Sequence, residues 1–477
     1  MSSAKSIVKN TGIYFFGEII SILLSFFLII LIARYLGEVG LGKYSFVFAF
    51  VGIFSVLSDF GVSTWMTREI SKNKSMTKKF LYNMLSLKII LSIIVVILSL
   101  VSIYFTTQPF DIKIGVLFAA LAMSFYYIGY IFRVIINVYE VQAYQFLYLI
   151  SERLIAFLLG IFVLYKGYGV MALVSIFIFS NFFGLLILYI LIHKRIEKVK
   201  LELDIDFIKN TLKKSLPFWF TALFMTIYFK IDTVMLSFMK GYDATGWYNA
   251  SYKIIDSLSF IPFVIITIIF PVMSKFYKNS KNLLQILYEK SIYYLFLLAL
   301  PLGIGTTVLA DRIILFVYQK TFINSVIVLQ ILIWALVLMF VNYIMGYLLN
   351  SIDKQKLFTF TAGFGTLINI ILNLVLIPSY SYTGAAIATV ATELLNFTFL
   401  FYFTSSNGFN ISLPKMIIKP LIAGAAMGTV LYYLFFMHLL LIVPIAAAVY
   451  FLVLFLIGGI HKDEVNLIKA YLIKNKG

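Results

Sequence analysis

Cysteine is absent from the 477-residue chain, and histidine is scarce. Without cysteine the chain can form no disulfide and no thiolate metal site. The three histidines, His193, His438 and His461, lie far apart in the sequence, so we expect no histidine cluster either. We therefore predict that the protein has no metal site and no cofactor.

Charged residues are also few. They make up 12% of the chain, whereas 62% of the residues are hydrophobic and the mean hydropathy is +1.01. A soluble domain has about a quarter of its residues charged. Apolar runs of about 20 residues, the length of a membrane-spanning helix, recur from end to end. The alternating ten-residue segments of a β-barrel are missing. The composition therefore predicts an all-α polytopic membrane protein.

About fourteen spans are predicted from these runs. The first run, from about Gly12 to Ile32, is too long for the apolar region of a signal peptide, so we interpret it as a retained span. The predicted spans cover roughly residues 12–33, 44–66, 80–105, 112–134, 146–165, 168–192, 216–239, 247–273, 290–310, 326–349, 357–377, 383–404, 415–437 and 440–460.

Lysine and arginine are unevenly divided between the two sides of these spans. Most of the 38 basic residues fall at the two termini and in every second connection. Because cytoplasmic connections carry the excess of basic residues, this pattern predicts a protein of the cytoplasmic membrane with both termini in the cytoplasm. The net charge of +18 is then a signal of topology and of attraction to anionic lipid, and no nucleic-acid partner is expected.

The longest soluble connection, around residues 193–214, divides the chain into two similar halves. We predict an N-terminal six-helix lobe over residues 1–200 and a C-terminal six-helix lobe over 201–408. Two additional helices and a cytoplasmic tail follow over 409–477.

A short repeat supports this duplication. Gly37-x4-Gly42-x-Tyr44 closes the first span, and the same pattern ends the seventh span 204 positions later, beginning at Gly241. Two six-span halves both begin on the cytoplasmic side, and an axis along the membrane normal would relate them, as in alternating-access transporters. The first copy also fits G-x4-G-K, but it has Tyr44 where a phosphate-binding loop needs Ser or Thr. We therefore predict no ATP binding.

Ionisable residues inside the spans are the main candidates for function. A charge at bilayer depth costs about 2.5–3.5 kcal/mol on insertion scales, so it usually faces a wet cavity or a partner. Lys230 and Asp232 lie near the middle of the seventh span, about 200° apart around a helix, so we do not expect them to pair with each other. The other candidates, which lie on polar faces of their spans, are Glu18, Asp59, Arg153, Lys253, Asp256, Asn369, Asn373 and Glu393.

Simpler interpretations stay open for several of these residues. Asparagine, serine and threonine side chains commonly hydrogen-bond between membrane helices without any further role. Lys253 and Asp256 are three residues apart and can neutralise each other. We expect Lys88 to extend its amine to the cytoplasmic surface instead of lining a cavity.

Several segments resemble a known family in order and spacing. Ala33-Arg34-Tyr35-Leu36-Gly37 and Ser58-Asp59-Phe60-Gly61 are similar to the opening of the polysaccharide (O-antigen and teichoic acid) flippases. The segments Ile231–Leu236, Gly246–Ala250 and Phe270-Pro271 resemble the seventh and eighth helices of that family. Asn369–Asn373, Ile377-Pro378 and Gly384–Thr389 resemble its eleventh and twelfth helices.

This resemblance implies the fold of the multidrug/oligosaccharidyl-lipid/polysaccharide exporter superfamily, with two six-helix lobes in a V, as in the multidrug and toxin extrusion (MATE) proteins. It implies a flippase that moves a polyprenyl-(pyro)phosphate-linked oligosaccharide from the cytoplasmic to the outer leaflet for polysaccharide biosynthesis. Its partners would be that lipid-linked oligosaccharide, membrane lipid, and a polysaccharide polymerase or glycosyltransferases. Transport would draw on a Na⁺ or H⁺ gradient or on the gradient of the substrate itself.

The resemblance also suggests roles for the candidate residues. Lys230 is the first choice for a phosphate contact, Arg153 and Lys253 are the second, and Asn369 and Asn373 would bind the headgroup through their amides. The predicted residues for gating or ion coupling are Asp232, Glu18, Asp59, Asp256 and Glu393.

Three other functions were weighed against the flippase. A MATE-like multidrug antiporter would favour an acidic cavity with few lysines, and a lipid II flippase would be a close relative. A membrane-embedded polymerase would need a sizeable external loop, whereas the external connections here are short. We therefore do not expect an enzyme.

Overall fold

The computed structural model describes residues 4–460, without the side chains of residues 4–11, 13–15 and 415. The predicted tail after residue 460, with His461, lies outside the described residues, as do the side chains of Lys5 and Lys9. The described chain is helical throughout and contains no strand. Its α-helices are α1 (Ala4–Ser55), α2 (Val62–Lys72), α3 (Thr77–Tyr104), α4 (Phe110–Val138), α5 (Gln142–Tyr165), α6 (Val170–Arg195), α7 (Ile205–Lys240), α8 (Tyr242–Leu258), α9 (Phe260–Asn279), α10 (Lys281–Val317), α11 (Ser325–Ser351), α12 (Gln355–Ser406), α13 (Leu413–Tyr433) and α14 (Leu439–Leu456).

Twelve helical segments in the described part are long and apolar enough to cross a membrane, which confirms the all-α polytopic fold. Two of the helices, α1 and α12, have 52 residues each and are bent at Gly37 and Ser381. At 1.5 Å per residue each helix is about 78 Å long, enough to cross a hydrocarbon core of about 30 Å twice. The count of fourteen crossings stays a prediction.

Two predicted spans are broken. Residues 44–66 were expected to form a single helix, but α1 ends at Ser55 and α2 begins at Val62, after Gly61 with a positive φ of 72°. The second break lies further along the chain. Residues 247–273 were expected to form a single helix, but α8 ends at Leu258 and α9 begins at Phe260. Pro262 lies in the first turn of α9, where the missing N–H of a proline has no intrahelical partner to lose. The hydropathy of the run gave no sign of this break.

The first glycines of the repeat have matching conformations. Gly37 has φ 66° and ψ −171°, and Gly241 has φ 89° and ψ −175°. Glycine adopts such positive φ values readily because it has no Cβ. Both copies therefore turn the chain in the same way between one span and the next.

The second glycines of the repeat pack on each other's segments. A Cβ at Gly42 would overlap the carbonyl oxygen of Tyr242, and a Cβ at Gly246 would overlap the carbonyl oxygen of Glu38. Gly42 therefore packs on the carbonyl group that lies four residues before Gly246, and Gly246 packs on the one that lies four residues before Gly42. This reciprocal contact has the symmetry expected of a duplicated chain, and it leaves no room for a side chain at either position.

The chain divides into two compact units. The first unit comprises residues 1–250 and 370–382, and its core joins α2, α3, α4 and α5 in one cluster and α1 with α4 in another. The second unit comprises residues 251–369 and 383–477. There α13 and α14 pack against α10 through apolar side chains that include Leu297, Ala423 and Tyr450. The predicted lobes at 1–200 and 201–408 and the segment 409–477 stay predictions.

Candidate functional site

Lys230 lies within α7, in the first unit, and is half-buried. Its aliphatic stem passes over Gly52 of α1: a Cβ built on that glycine would lie 3.6 Å from Lys230 Cγ. The glycine therefore leaves space for a long cationic side chain beside α1. The atoms next to this glycine are Cγ, Cδ and Cε of Lys230, so the hydrocarbon stem of the lysine packs along α1.

Asp232, one half-turn further along α7, is almost fully buried. The Tyr248 hydroxyl donates a hydrogen bond to Asp232 Oδ2 at 2.7 Å, and Asn373 Nδ2 donates to Oδ1 at 2.5 Å. Each carboxylate oxygen of Asp232 therefore accepts a hydrogen bond from a different helix, one from α8 and one from α12. The structure places two predicted site residues, Asp232 and Asn373, in direct contact.

Arg153 of α5 lies beside a carboxylate of its own helix. Its Nε is 3.2 Å from Glu152 Oε2 and donates to Ser21 Oγ of α1 at 3.1 Å. Glu152 is 3% exposed, whereas the Arg153 side chain is 33% exposed. Glu18, three residues before Ser21 on α1, is half-buried. Because the Glu152 carboxylate partly neutralises the Arg153 guanidinium group, Arg153 attracts an anionic ligand less strongly than an unpaired arginine would.

Asp59 is joined to Lys88 in the first unit. Lys88 Nζ lies 2.5 Å from Asp59 Oδ1, and it also donates to Ser63 Oγ at 3.0 Å and to the Tyr127 carbonyl oxygen at 3.3 Å. The Lys88 side chain is 1% exposed. The expectation that Lys88 reaches the cytoplasmic surface is therefore wrong, because a carboxylate from the segment between α1 and α2 satisfies its amine inside the helices.

In the second unit, Glu393 of α12 is buried and accepts hydrogen bonds from Asn342 of α11. Asn342 Nδ2 lies 2.7 Å from Glu393 Oε2 and 3.1 Å from the Glu393 carbonyl oxygen. Lys253 Nζ lies 2.8 Å from Asp256 Oδ2, so these two residues do neutralise each other. Asn369 is fully buried on α12.

The structure thus brings together Asp232 with Asn373 and Lys253 with Asp256. Asp59, Arg153 and Glu393 are instead joined to Lys88, Glu152 and Asn342, which were not among the predicted site residues. Within residues 16–460, apart from Lys415, no three His, Cys, Asp or Glu side chains lie close enough together to hold a metal ion.

Sequence reasoning missed Arg133, which lies at the end of the predicted span 112–134 and was not among the candidate residues. The structure places it inside α4, half-buried among Tyr126, Tyr130 and Tyr148. A signal was present in the sequence: the two tyrosines of α4 precede Arg133 by seven and three residues, which puts all three on one helix face.

Two family models match the chain. The model described as a polysaccharide biosynthesis protein matches residues 7–277, more than half of the chain. The model described as MatE matches residues 217–375.

Individual proteins are similar as well. An uncharacterized membrane protein of Methanocaldococcus jannaschii is 23% identical over 438 residues, which cover 84% of this chain and 85% of the relative. The probable low-salt glycan biosynthesis flippase Agl15 of Haloferax volcanii is 25% identical over 177 residues, only 37% of this chain and 38% of that protein. Among solved structures, the lipid II flippase MurJ in an inward closed conformation matches with a TM-score of 0.78. It is 18% identical and the match covers 95% of this chain and 99% of that one, so it shows the fold alone.

Proposed function

Because the chain belongs to the polysaccharide biosynthesis protein family, within the multidrug/oligosaccharidyl-lipid/polysaccharide exporter superfamily, we propose that it flips lipid-linked oligosaccharides. Its substrate would be an oligosaccharide on a polyprenyl phosphate or pyrophosphate. The protein would move this substrate from the cytoplasmic to the outer leaflet by alternating access, for the synthesis of a cell-surface glycan. Agl15 is described as a probable glycan biosynthesis flippase, and the matching MurJ structure as a lipid II flippase.

The observation that carries this proposal is the presence of half-buried cations within membrane-spanning helices of the first unit, with Lys230 foremost. A sugar phosphate headgroup cannot cross hydrocarbon, so it needs a path with cations, hydroxyls and amides. An isoprenoid tail needs no such path and can stay in the lipid. A cation at bilayer depth is costly unless a partner or a ligand compensates it.

We assign the candidate residues to two tasks. Lys230, Arg153 and Lys253 would contact the phosphate groups, and Asn369 and Asn373 would contact the headgroup through their amides. Lys230 stays the first choice of the three cations because it is half-buried within the membrane-spanning part of α7.

The acidic residues would serve gating or ion coupling. Asp232 is the first of these, because it is almost fully buried and its carboxylate accepts hydrogen bonds from Tyr248 and Asn373. A proton or Na⁺ arriving there would compete with these hydrogen bonds and so change how α7 is held. Asp59, Glu18, Asp256 and Glu393 complete this set.

The protein is a multi-pass membrane protein, and we place it in the cytoplasmic membrane with both termini in the cytoplasm. The distribution of lysine and arginine supports this orientation. A polymerase or glycosyltransferases acting on the same glycan would be its functional partners.

The first test is a flipping assay with purified protein in liposomes. The vesicles would contain a labelled polyprenyl-pyrophosphate oligosaccharide, and an external sugar-modifying enzyme would report the fraction that faces outward. We expect protein-dependent exposure of the inner pool. Lys230→Ala should slow this exposure about tenfold or more, because a charge-assisted contact to phosphate contributes about 1.5–3 kcal/mol.

Lys213→Ala is the matched control, since Lys213 lies on the same helix but is exposed near its cytoplasmic end. Normal flipping by Lys230→Ala would remove the proposed role of that residue. Absence of flipping by the unmodified protein, together with expulsion of a cationic dye against a Na⁺ or H⁺ gradient, would favour the multidrug antiporter instead.

A further inference from the structure

Arg133 is surrounded by aromatic rings between α4 and α5. Its guanidinium carbon lies 5.9 Å from the ring centroid of Tyr126, 5.2 Å from that of Tyr130 and 5.3 Å from that of Tyr148. Aromatic faces attract cations, and the attraction grows when the cation is removed from water. Three rings together can therefore hold a guanidinium group inside the helices without a carboxylate.

The hydrogen bonds of Arg133 leave part of its guanidinium group available. Nη1 donates to the Tyr126 hydroxyl at 3.2 Å. Nη2 and Nε lie 2.7 Å and 2.8 Å from the side-chain oxygen of Gln145, in the amide orientation that satisfies both groups. These bonds use three of the five N–H groups of an arginine. No partner among the described side chains takes the other two.

Glu18 of α1 acts electrostatically on Arg133, but the two residues form no ion pair. No carboxylate oxygen of the described residues lies within ion-pair distance of it, whereas Lys88, Arg153 and Lys253 each have one. Gln145, the group that fixes the guanidinium plane, is buried and neutral. The position of the arginine is therefore determined by groups that leave its charge intact.

A second guanidinium group lies near the same tyrosines. Tyr126 and Tyr148 are electrostatic neighbours of both Arg133 and Arg153. Arg153 approaches from α5 and donates to Ser21 of α1. Two guanidinium groups on facing helices, with tyrosines around them, match the chemistry of a phosphate group that carries a sugar.

We propose that Arg133, Tyr126, Tyr130, Tyr148 and Gln145 form a binding site for the phosphate-linked sugar of the transported lipid, within the first unit. We call it the arginine–tyrosine site. The two available N–H groups of Arg133 bind phosphate oxygens, for which the planar guanidinium fork is well suited. The tyrosine rings and hydroxyls contact the adjoining sugar. This inference rests on the proposed function, because it specifies where the headgroup binds.

A purely structural role for Arg133 makes a different prediction. If the residue only tied α4 to α5, its replacement would lower stability and leave ligand affinity unchanged in the protein that remains folded. If it binds phosphate, the affinity for a phosphate ligand falls and the affinity for the same molecule without phosphate does not. Binding to phosphorylated and unphosphorylated probes therefore separates the two roles.

The experiment measures binding to the full chain in nanodiscs of zwitterionic lipid, by the change in intrinsic fluorescence. The probes are geranyl pyrophosphate, geraniol and short-chain phosphatidylglycerol, and the variants are Arg133→Gln and Arg133→Lys. We expect the Kd for geranyl pyrophosphate to rise about 10- to 100-fold in Arg133→Gln, the factor that matches the loss of charge-assisted hydrogen bonds. Arg133→Lys should retain part of the affinity, because it keeps the charge and loses the fork.

Arg68→Gln is the matched control. Arg68 lies over the ring of Trp65 at 5.8 Å but is exposed on α2, so the same substitution should leave the Kd unchanged. Equal affinity of Arg133→Gln and the unmodified protein for geranyl pyrophosphate would overturn the proposal. Equal competition by phosphatidylglycerol would also overturn it, since the site would then bind anionic lipid in general.

The arginine–tyrosine site and the flippase proposal can be tested separately, because each can fail while the other holds. Should the unmodified protein bind geranyl pyrophosphate through Arg133 and yet flip no lipid-linked oligosaccharide, the site stands and the flippase proposal falls. Should it flip that lipid while Arg133→Gln binds and flips equally well, the flippase proposal stands and the site falls.

Discussion

Two cations in the first unit are held in opposite ways. Lys88 lies 2.5 Å from the Asp59 carboxylate and is almost completely buried, so its charge is cancelled within the protein. Arg133 is held by three tyrosine rings and the Gln145 amide, which orient its charge and leave it in place. A cation of the first kind stabilises the helices, whereas a cation of the second kind is available to an anionic ligand.

This difference matters because both arrangements are costly in a membrane. A buried ion pair requires two charges to be desolvated. When one partner is removed, the other charge stays buried without compensation, which is strongly destabilising. An arginine among neutral groups leaves no such partner when it is replaced. Replacing Lys88 should therefore lower stability more than transport, whereas replacing Arg133 should lower transport more than stability.

The largest effect on stability is expected from Lys88→Met. This change leaves the Asp59 carboxylate without its cation and should lower the free energy of unfolding by about 3–5 kcal/mol. Unfolding in detergent, followed by intrinsic fluorescence, measures the loss. Adding Asp59→Asn to the same chain should restore much of it, because the uncompensated charge is then gone.

A surface pair provides the control for that measurement. Lys72 pairs with Glu69 at 2.9 Å but is exposed, so Lys72→Met should change the free energy of unfolding by only about 0–1 kcal/mol. A loss of similar size in both variants would show that burial does not distinguish the two pairs.

An intermediate effect is expected at Arg153. Its replacement by Gln leaves Glu152 buried without its ionic partner, but Arg153 is itself a third exposed. We expect a loss of about 1–3 kcal/mol in the free energy of unfolding, the range for a buried group left unsatisfied. The double variant with Glu152→Gln should recover most of this loss, and no recovery would mean that the two side chains are not coupled.

The smallest effect is expected at Asp204, at the start of α7 outside the membrane spans. Its carboxylate accepts a hydrogen bond from the backbone N–H of Phe207 and lies 3.1 Å from Lys79 Nζ, and these donors hold the pKa of Asp204 below its usual 3.8. Because the folded-state pKa is lowered, the stabilisation is present above the usual value and is lost as pH falls through the folded-state value.

The difference in unfolding midpoint between the unmodified protein and Asp204→Asn should thus be constant near neutral pH and shrink below about pH 4. A difference that grows as the pH falls would contradict this account of the helix start.

Much of the fold could be predicted because long apolar runs leave few structural choices inside a membrane. Most runs matched helices, and Gly37 of the repeat marked one of the two bends. No glycine of the repeat marked the bend at Ser381, and no gap between predicted spans marked the break between Ser55 and Val62. The break between Leu258 and Phe260 was missed, since both sides are equally apolar and only Pro262 lies near the break. Hydropathy measures burial in lipid and carries little information about where a helix stops.

The site was harder to predict because partners lie far apart in the sequence. Asp59 and Lys88 are separated by 29 residues, and Asp232 and Asn373 by 141. Arg133 was not a candidate because a charge near the end of an apolar run is typical of a span boundary. Two of its tyrosines lie on its own helix at helical spacing, but Tyr148 and Gln145 reach it only through the packing of α4 against α5.

The most direct test measures the outward-facing fraction of a labelled polyprenyl-pyrophosphate oligosaccharide in liposomes, for the unmodified protein and for Arg133→Gln. Unfolding of both proteins would be followed in parallel. We predict flipping by the unmodified protein and flipping at least about tenfold slower in the variant. The free energy of unfolding should fall by no more than about 1–3 kcal/mol, the cost of leaving the buried Gln145 amide oxygen without its donors. Equal flipping rates, or slower flipping that only accompanies an equal loss of folded protein, would contradict the claim that Arg133 serves the ligand.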